Sequence, residues 1–310
     1  MQSRGDLQEC LGVLPPWMEI PAELRAQLPR LWDGLLGHVA VMPGVIEDLS
    51  RAPGSRIQGF GFTVVLPTAW ADAYAAAPSP FIAWQVYRSL LEGRLRLPDE
   101  HEIGRANAGE GLSMMVLHYA QLERDLSQPY THNLLHAALE IFRIVHGGYR
   151  IRRFWQEGAG EDLPFLQSMG YLQQSDYSGH PIEGMHPDER PTLWGLTREQ
   201  ARQQLPGTDV RMIFEHHPPR FGFTPTQRRL LGRAIFDDSD ELLMRELGLT
   251  AHGIKKQWRG IYDRVEDHDP GFFGDAAAEA DEGRRGREKR RQILAYVRQR
   301  LEEVRPWNPA

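Results

Sequence analysis

Four donor side chains lie within one predicted helix in the last third of the chain. The helix runs from Thr250 to about Val265, and its apolar residues recur at helical spacing. The opposite side of the helix carries the donors, which are His252, Lys255, Lys256 and Arg259. Such side chains near a helix N-terminus could reach phosphates and base edges in the major groove of DNA. The spacing therefore favours a DNA-contacting face, with a solvated cationic face as the alternative.

Two shorter helices must position that face. Thr224 and Pro225 form a helix-start signal, because a threonine side chain caps the first turn and proline fits there without a hydrogen bond. A second helix is predicted after a break at residues 236–239, and Gly248 predicts a tight turn before Thr250. The stripe of the third helix is predicted to be core and comprises Ile254, Trp258, Ile261 and Val265. Together the three segments predict a helix-turn-helix arrangement.

The segment FTPTQRRLL…DELLMRELGLTAHGIKKQWRGIYDRV, residues 223–265, resembles the LuxR-type helix-turn-helix family of bacterial transcription regulators. The resemblance implies a small helical bundle that binds double-stranded DNA as a dimer. It also implies phosphate contacts from Thr250 and Lys255, and positions facing the groove at Ala251, His252, Lys256 and Arg259. The chain departs from the family at Gln227, where Glu is usual, and at Gly253, where the loss of a usual Thr costs about 1 kcal/mol in helix propensity.

Strands and helices alternate between residues 55 and 177. Strands are predicted near 57–66, 112–119, 149–156 and 171–176, with helices near 79–91, 131–146 and 161–169. This alternation predicts a layered α/β domain. Within it, GYRIRRFWQEGAGEDLPFLQSMGYLQQSDY resembles the later half of a GNAT acyltransferase domain, with Met169-Gly170-Tyr171 at the end of the short helix and the start of the next strand. The resemblance implies a mixed sheet flanked by helices.

Acyltransferases of that family bind the pyrophosphate of coenzyme A through backbone N–H groups of a glycine-rich turn at a helix N-terminus. The equivalent turn here, residues 121–130, has no glycine, carries two acids and includes Pro129, which lacks a backbone donor. We therefore expect no cofactor, and a domain that senses a small-molecule ligand or mediates dimerisation. Glu157 and Tyr171 could act as base and acid in acyl transfer. The pattern nevertheless favours a strand-end salt bridge and a core aromatic residue at these two positions, and no catalytic residue is assigned.

Histidine pairs and the cysteine count bear on metal binding. His132 and His136 lie four residues apart on a predicted helix, a spacing that could place two imidazoles on one metal ion. Without an H-E-x-x-H pattern or a nearby cysteine, the sequence favours surface or core histidines and no metal site. His216 and His217, beside two prolines, predict a loop, with a pH-sensitive hinge as the alternative. The single cysteine, Cys10, excludes an internal disulfide and favours a reducing cytosol.

The charge of the chain is unevenly distributed. The 310 residues are 41% hydrophobic and 25% charged, which is ordinary globular composition. A net charge of −6 argues against a protein whose whole surface coats nucleic acid. Divided at Phe221, however, residues 1–220 carry a charge near −7 and residues 221–310 one near +1.

No apolar run is long enough to cross a bilayer and the first residues lack a signal-peptide core, so a cytoplasmic protein without membrane contacts is expected.

The end of the chain combines a basic run with a predicted helix. The run, residues 284–291, could add phosphate contacts. The helix, residues 288–304, could form a dimer seam through Ile293, Leu294, Val297 and Leu301, or it could pack within the chain with solvated basic flanks.

These patterns together predict a DNA-binding transcription regulator that is not an enzyme. Five segments are expected: a helical cap (1–54), an α/β GNAT-like sensor domain (55–177), a connection (178–220), an all-α LuxR-type helix-turn-helix domain (221–265), and a linker with a C-terminal helix (266–310). The expected partners are double-stranded DNA and a second copy of the chain. The alternative function is an acyl-coenzyme A-dependent N-acyltransferase with a helical targeting tail.

Overall fold

A computed structural model of the protein describes residues 4–182, 184–236, 239–274 and 282–309. Six strands form one mixed sheet in the order β1-β2-β3-β4-β6-β5. The strands are β1 Val41–Glu47, β2 Ile57–Leu66, β3 Leu112–Gln121, β4 Ile151–Gly158, β5 Leu172–Ser175 and β6 Thr192–Thr197. Neighbouring strands are antiparallel except β3 and β4, which run parallel. A parallel pair requires a long crossover connection, and this connection contains the helix Pro129–His146.

Helices cover both faces of the sheet, which explains why β2 and β3 are buried along nearly their whole length. Before residue 220 the helices are α1 Arg4–Val13, α2 Ala22–Leu35, α3 Thr68–Ala76, α4 Ile82–Leu91, α5 Glu100–Ala108, α6 Pro129–His146, α7 Asp162–Ser168, α8 Arg198–Gln203 and α9 Asp209–Met212. On one face, Trp32 of α2 donates from Nε1 to the hydroxyl of Tyr87 of α4 at 3.0 Å. On the other, Nε2 of His146 of α6 lies 2.9 Å from Oγ1 of Thr63. We call these the α4 face and the α6 face.

The mixed sheet with flanking helices confirms the predicted layered α/β domain. Two of its strands lie outside the predicted sheet domain. Strand β1 falls in the segment expected to be a helical cap, and it contains Pro43, which edge strands tolerate because one side needs no partner. Strand β6 falls in the segment expected to be a connection, yet it inserts between β4 and β5. Helices α3 and α5 were also not predicted.

Three helices form where the C-terminal pattern predicted them: α10 Pro225–Ala234, α11 Asp240–Leu247 and α12 Ala251–His268. Oγ1 of Thr224 accepts a hydrogen bond from the Gln227 N–H at 3.3 Å, which confirms the predicted cap. Gly248 ends α11 in the left-handed region at φ 64°, where glycine is favoured. The predicted apolar stripe of α12 is buried.

The last helix, α13 Glu282–Gln299, packs within the chain. Ile293 and Val297 are fully buried in the core that α10 and α12 share, so the interpretation of this face as a dimer seam is wrong. Two cations of the basic run are also engaged internally. Lys289 Nζ lies 2.5 Å from Oε1 of Glu266, and Arg290 lies over the Trp258 ring at 4.6 Å. The side chains of residues 282–285 lie outside the described part of the chain.

The segment after α13 joins the helical part to the sheet domain. A short 3-10 helix, Leu301–Val304, precedes it. Arg305 Nε donates to the carbonyl oxygen of Gly147 at 2.9 Å, and Asn107 Nδ2 donates to that of Pro306 at 2.8 Å. The Asn308 N–H donates to the Gly104 carbonyl at 3.1 Å. These contacts span about 200 positions of sequence, so the C-terminus is a structural part of the sheet domain.

None of the helices in the described ranges combines the length and the apolar character that crossing a membrane requires.

Candidate active site

The parallel strands β3 and β4 separate part-way along their length. Their pairing ends at Val116 and Gln156. Beyond that point β3 continues to Gln121 with β2 as its paired strand, and β4 continues to Gly158 with β6. A β-bulge in β3 inserts Leu117 at the point of separation. The sheet therefore opens into a gap whose two edges carry backbone groups outside the sheet ladder.

Glu157 lies on the α4 face at the β4 edge of this gap. The side chain is buried, and its Oε1 accepts a hydrogen bond from the hydroxyl of Tyr177 at 2.7 Å. Its Oε2 accepts from the backbone N–H of Ile82 at 2.8 Å. The Tyr177 hydroxyl in turn lies 2.8 Å from that of Tyr74. Within the described residues Glu157 has no ion-pair partner, so the expected strand-end salt bridge is wrong.

Burial raises the pKa of Glu157 from 4.5 to about 7, because a carboxylate is costly away from water. Hydrogen bonds from Tyr177 and from the backbone of Ile82 and Phe81 act in the opposite direction and keep the value from rising further. A carboxyl group that titrates near neutral pH can both accept and return a proton, which is the property that a general base requires.

The start of α4 aims a helix N-terminus at this carboxyl group. Phe81, the residue before the helix, adopts the left-handed conformation at φ 60° and stacks on Trp84 with ring centroids 4.2 Å apart. This turn presents the Ile82 N–H to Glu157. Sequence patterns missed Ile82, Tyr74 and Tyr177, because their role depends on tertiary contacts 20 to 103 residues apart.

Tyr171 does not join Glu157. It lies with its ring against Phe154, which points to the α6 face, whereas Glu157 points to the α4 face. Glu157 and Tyr171 therefore do not form an acid–base pair. The favoured interpretation of Tyr171, a core aromatic residue, is confirmed, since Tyr171 is buried and its hydroxyl has no hydrogen-bond partner among the described groups.

An apolar cavity of about 80 Å³ lies under α6 on the other side of the sheet. Three strand glycines, Gly44, Gly59 and Gly61, are among the residues that line it. Phe142 and Tyr171 close its sides. The cavity reaches Val116 and Gln156, the last residues paired before the gap. The opening of the sheet thus has an apolar chamber on one face and a buried carboxyl group on the other.

The turn between β3 and α6 is filled by its own carboxylates. Oε1 of Glu123 accepts hydrogen bonds from the N–H groups of Arg124 and Asp125, both at 3.0 Å. Oδ1 of Asp125 accepts from the Ser127 N–H at 2.9 Å, and the hydrogen bonds from Ser127 lower the pKa of Asp125. Backbone donors that would hold a pyrophosphate are therefore already used. The residues of this turn do not fit a coenzyme pyrophosphate.

The two histidines considered for metal binding have different surroundings. His132 Nε2 lies 2.6 Å from the carbonyl oxygen of Leu126 and so supports the same turn. His136 is exposed one helical turn later. In the part of the chain that the structure describes, three or more potential metal ligands do not cluster anywhere.

The six residues assigned to DNA contact lie at the exposed start of α12. The list comprises Thr250, Ala251, His252, Lys255, Lys256 and Arg259, all of them exposed. Thr250 also caps the helix by accepting from the Gly253 N–H at 3.1 Å. Their role in DNA contact is untested and stays a prediction.

No protein-family model matches the chain, and no curated protein matches it. Among solved structures, the chain is similar to the spermidine/spermine N-acetyltransferase SpeG from Vibrio cholerae in complex with manganese ions, at 14% identity over 66% of this chain and 94% of that one, with a TM-score of 0.33. A chimera of the Vibrio cholerae spermidine N-acetyltransferase and hSSAT matches at 14% identity over 64% and 93%, with a TM-score of 0.32. Because the sequence identity and the TM-scores are this low, neither a substrate nor the role of any residue in this chain is inferred from these structures.

The solved structures named here are of acetyltransferases. They contradict the prediction that the chain is not an enzyme, and they give no support to transcription regulation, DNA binding or the LuxR-type assignment of residues 223–265.

Proposed function

We propose that this chain is an acyltransferase that moves an acyl group from a thioester to an amine at the gap between β3 and β4. The observation that carries the proposal is Glu157, a buried carboxyl group at the edge of that gap whose pKa lies near 7. The topology of the sheet and the resemblance of residues 148–177 to GNAT acyltransferases support the same reaction class.

Glu157 would act as the proton acceptor. An amine attacks a thioester carbonyl carbon through its lone pair, and the new C–N bond leaves nitrogen with a proton to lose. The Glu157 carboxylate takes that proton, and the C–S bond then breaks, with the leaving thiolate protonated from Glu157 or from water. Tyr177 and the Ile82 N–H fix the two carboxylate oxygens, and each oxygen keeps a second lone pair for this transfer.

The gap itself would hold the donor. Residues 117–121 of β3 and 157–158 of β4 present backbone groups to one another across the opening without ladder pairing. Such edges suit an extended, amide-bearing thioester arm, which can hydrogen-bond to both strands. Because Glu123 and Asp125 occupy the amides of the neighbouring turn, recognition would rest on the arm and not on a nucleotide pyrophosphate.

Thiol release from acetyl-pantetheine and from acetyl-coenzyme A, in the presence of a set of primary amines, tests the proposal. Both donors are expected to react at comparable rates. Glu157→Gln should lower the rate by about 100-fold or more, the range seen when general-base catalysis is lost. Glu140→Gln, an exposed position on α6, is the matched control. Absence of thiol release with both donors, or equal rates in the two variants, would refute the assignment.

A further inference from the structure

A second polar cleft lies at the opposite end of β4 from Glu157. Arg150 immediately precedes β4, and seven residues of extended chain separate it from Glu157, about 23 Å at the usual strand rise. The cleft has a volume of about 320 Å³. Its polar lining comes from four separate parts of the chain and consists of Arg150, Arg198, Arg202, Arg211, Glu215 and His216.

The positive charge of this cleft is mostly uncompensated. Of the four arginines, Arg211 pairs with Glu215 at 2.8 Å, and Glu215 is the one carboxylate in the lining. Within the described ranges, Arg150, Arg198 and Arg202 form no ion pair. Burial lowers the pKa of Arg198, the neighbouring charges of Arg150 and Arg202 lower it further, and the charge of Glu199 acts in the opposite direction. An anion bound in the cleft would relieve the repulsion between these like charges.

Two donor atoms of the residues that line the cleft are buried and lack partners. Nη2 of Arg198 is shielded from solvent with no hydrogen bond where it lies against Gly111, although Nε of the same side chain donates to the Ile151 carbonyl at 2.9 Å. Nε2 of His216 is also buried without a partner. Buried polar atoms are nearly always hydrogen-bonded in folded proteins, so a missing partner requires an explanation such as a ligand.

The His216 ring is held in place by the C-terminal segment. Trp307 stacks on it with ring centroids 5.4 Å apart and an interplanar angle of 25°. Burial lowers the pKa of His216 to about 4, with further lowering from Arg150 and other nearby cations, so the ring is neutral at pH 7 and can donate from Nε2 in one tautomer. The wall of the cleft is therefore preorganised before any ligand arrives.

We propose that this cleft binds a small phosphate-bearing anion, held by Arg150, Arg198 and Arg202 with His216 as an additional donor. Guanidinium groups match the geometry of phosphate oxygens, and several of them around one cleft favour a dianion over a singly charged carboxylate. The site is independent of the proposed acyl transfer, since it lies at the other end of the strand.

Isothermal titration of the full chain with inorganic pyrophosphate at low salt tests the site. Saturable binding to one site is expected, with an accompanying rise in the thermal unfolding midpoint. Arg202→Gln should weaken binding by about tenfold, as expected when one charged contact is lost. The Arg202 side chain is exposed at the surface, so the Arg202→Gln variant is expected to fold. Arg229→Gln, at an exposed arginine of α10 without an ion pair in the described structure, makes the same charge change elsewhere and should leave the affinity unchanged.

Three outcomes would overturn the proposal. The first is no saturable heat with pyrophosphate at millimolar concentration. The second is an equal loss of affinity in the Arg202 and Arg229 variants, which would mean that only overall charge matters. The third is an affinity for pyrophosphate that is unchanged in Arg202→Gln. A normal unfolding midpoint for each unliganded variant excludes misfolding as the cause of any loss.

Discussion

The burial of Glu157 should destabilise the protein as the carboxyl group ionises. In the unfolded chain this group titrates near its ordinary pKa of 4.5, whereas in the folded protein burial raises the pKa to about 7. Between these two values the folded state binds the proton and the unfolded state does not. The free energy of unfolding should therefore fall as pH rises through this window, and it should level off above pH 7.

The size of the effect follows from the two pKa values. A change from 4.5 to about 7 corresponds in full to about 3.5 kcal/mol, since each pKa unit is worth about 1.4 kcal/mol. Glu157→Gln removes the titration but keeps a polar side chain of similar shape. Relative to the native chain, this variant should gain about 2.5 kcal/mol in free energy of unfolding between pH 5 and pH 8, because part of the full difference is already present at pH 5. The more stable variant at pH 8 should also be the inactive one.

Urea denaturation at pH 5 and pH 8 measures this difference. Three chains are compared: the native sequence, Glu157→Gln, and the exposed control Glu140→Gln. Other groups titrate over the same range, but they are common to all three chains and cancel in the comparison. A difference between native and Glu157→Gln that does not change with pH would show that Glu157 titrates normally, and the reasoning about its burial would fail.

Three further predictions concern the neighbourhood of the gap and the C-terminal core. Tyr177→Phe removes a hydrogen bond that stabilises the charged carboxyl group, so the rising limb of the pH–rate profile should move up by about one to two pH units; an unmoved limb would contradict this role. Replacing both Glu123 and Asp125 by Ala frees three backbone donors and should strengthen acetyl-coenzyme A binding about tenfold or more, with acetyl-pantetheine unchanged as the internal control. Equal changes for the two ligands would contradict it. Ile293→Ala should cost about 2 to 5 kcal/mol in urea unfolding, independently of protein concentration. A loss that depends on concentration would instead indicate an interface between copies.

Local patterns predicted the long elements of the sheet domain. Strands β2 and β3 are long and mostly apolar, and α6 has a regular helical period, so each was found near its true bounds. Strands β1 and β6 were missed for a physical reason. The first contains Pro43 and Gly44, which weaken strand signals, and the second is six residues long within a segment rich in proline and glycine. Both owe their conformation to pairing with longer neighbours.

For the C-terminal helices, by contrast, the sequence predicted the elements correctly but did not establish their function. The capping residues Thr224 and Thr250 fix where α10 and α12 begin, and the sequence located both correctly. Ser239, which caps α11, was predicted only as part of the break before that helix. The same caps and apolar stripe would serve any small helical unit, because they satisfy backbone groups and a core irrespective of the partner. Correct helices therefore did not establish a DNA-binding function.

The sequence did not reveal the candidate site, because the site depends on where the hydrogen-bonded pairing of β3 and β4 ends. Glu157 was noticed as a strand-end acid, but its environment is built by Tyr177, Tyr74 and the start of α4, none of which is near it in sequence. At this place the sheet forgoes ladder hydrogen bonds between β3 and β4 and also buries a carboxyl group. Each feature is unfavourable for stability by itself. Both features occur at the same gap, and folding alone gives no reason to place them there together. This is the pattern expected of a site that is retained for function.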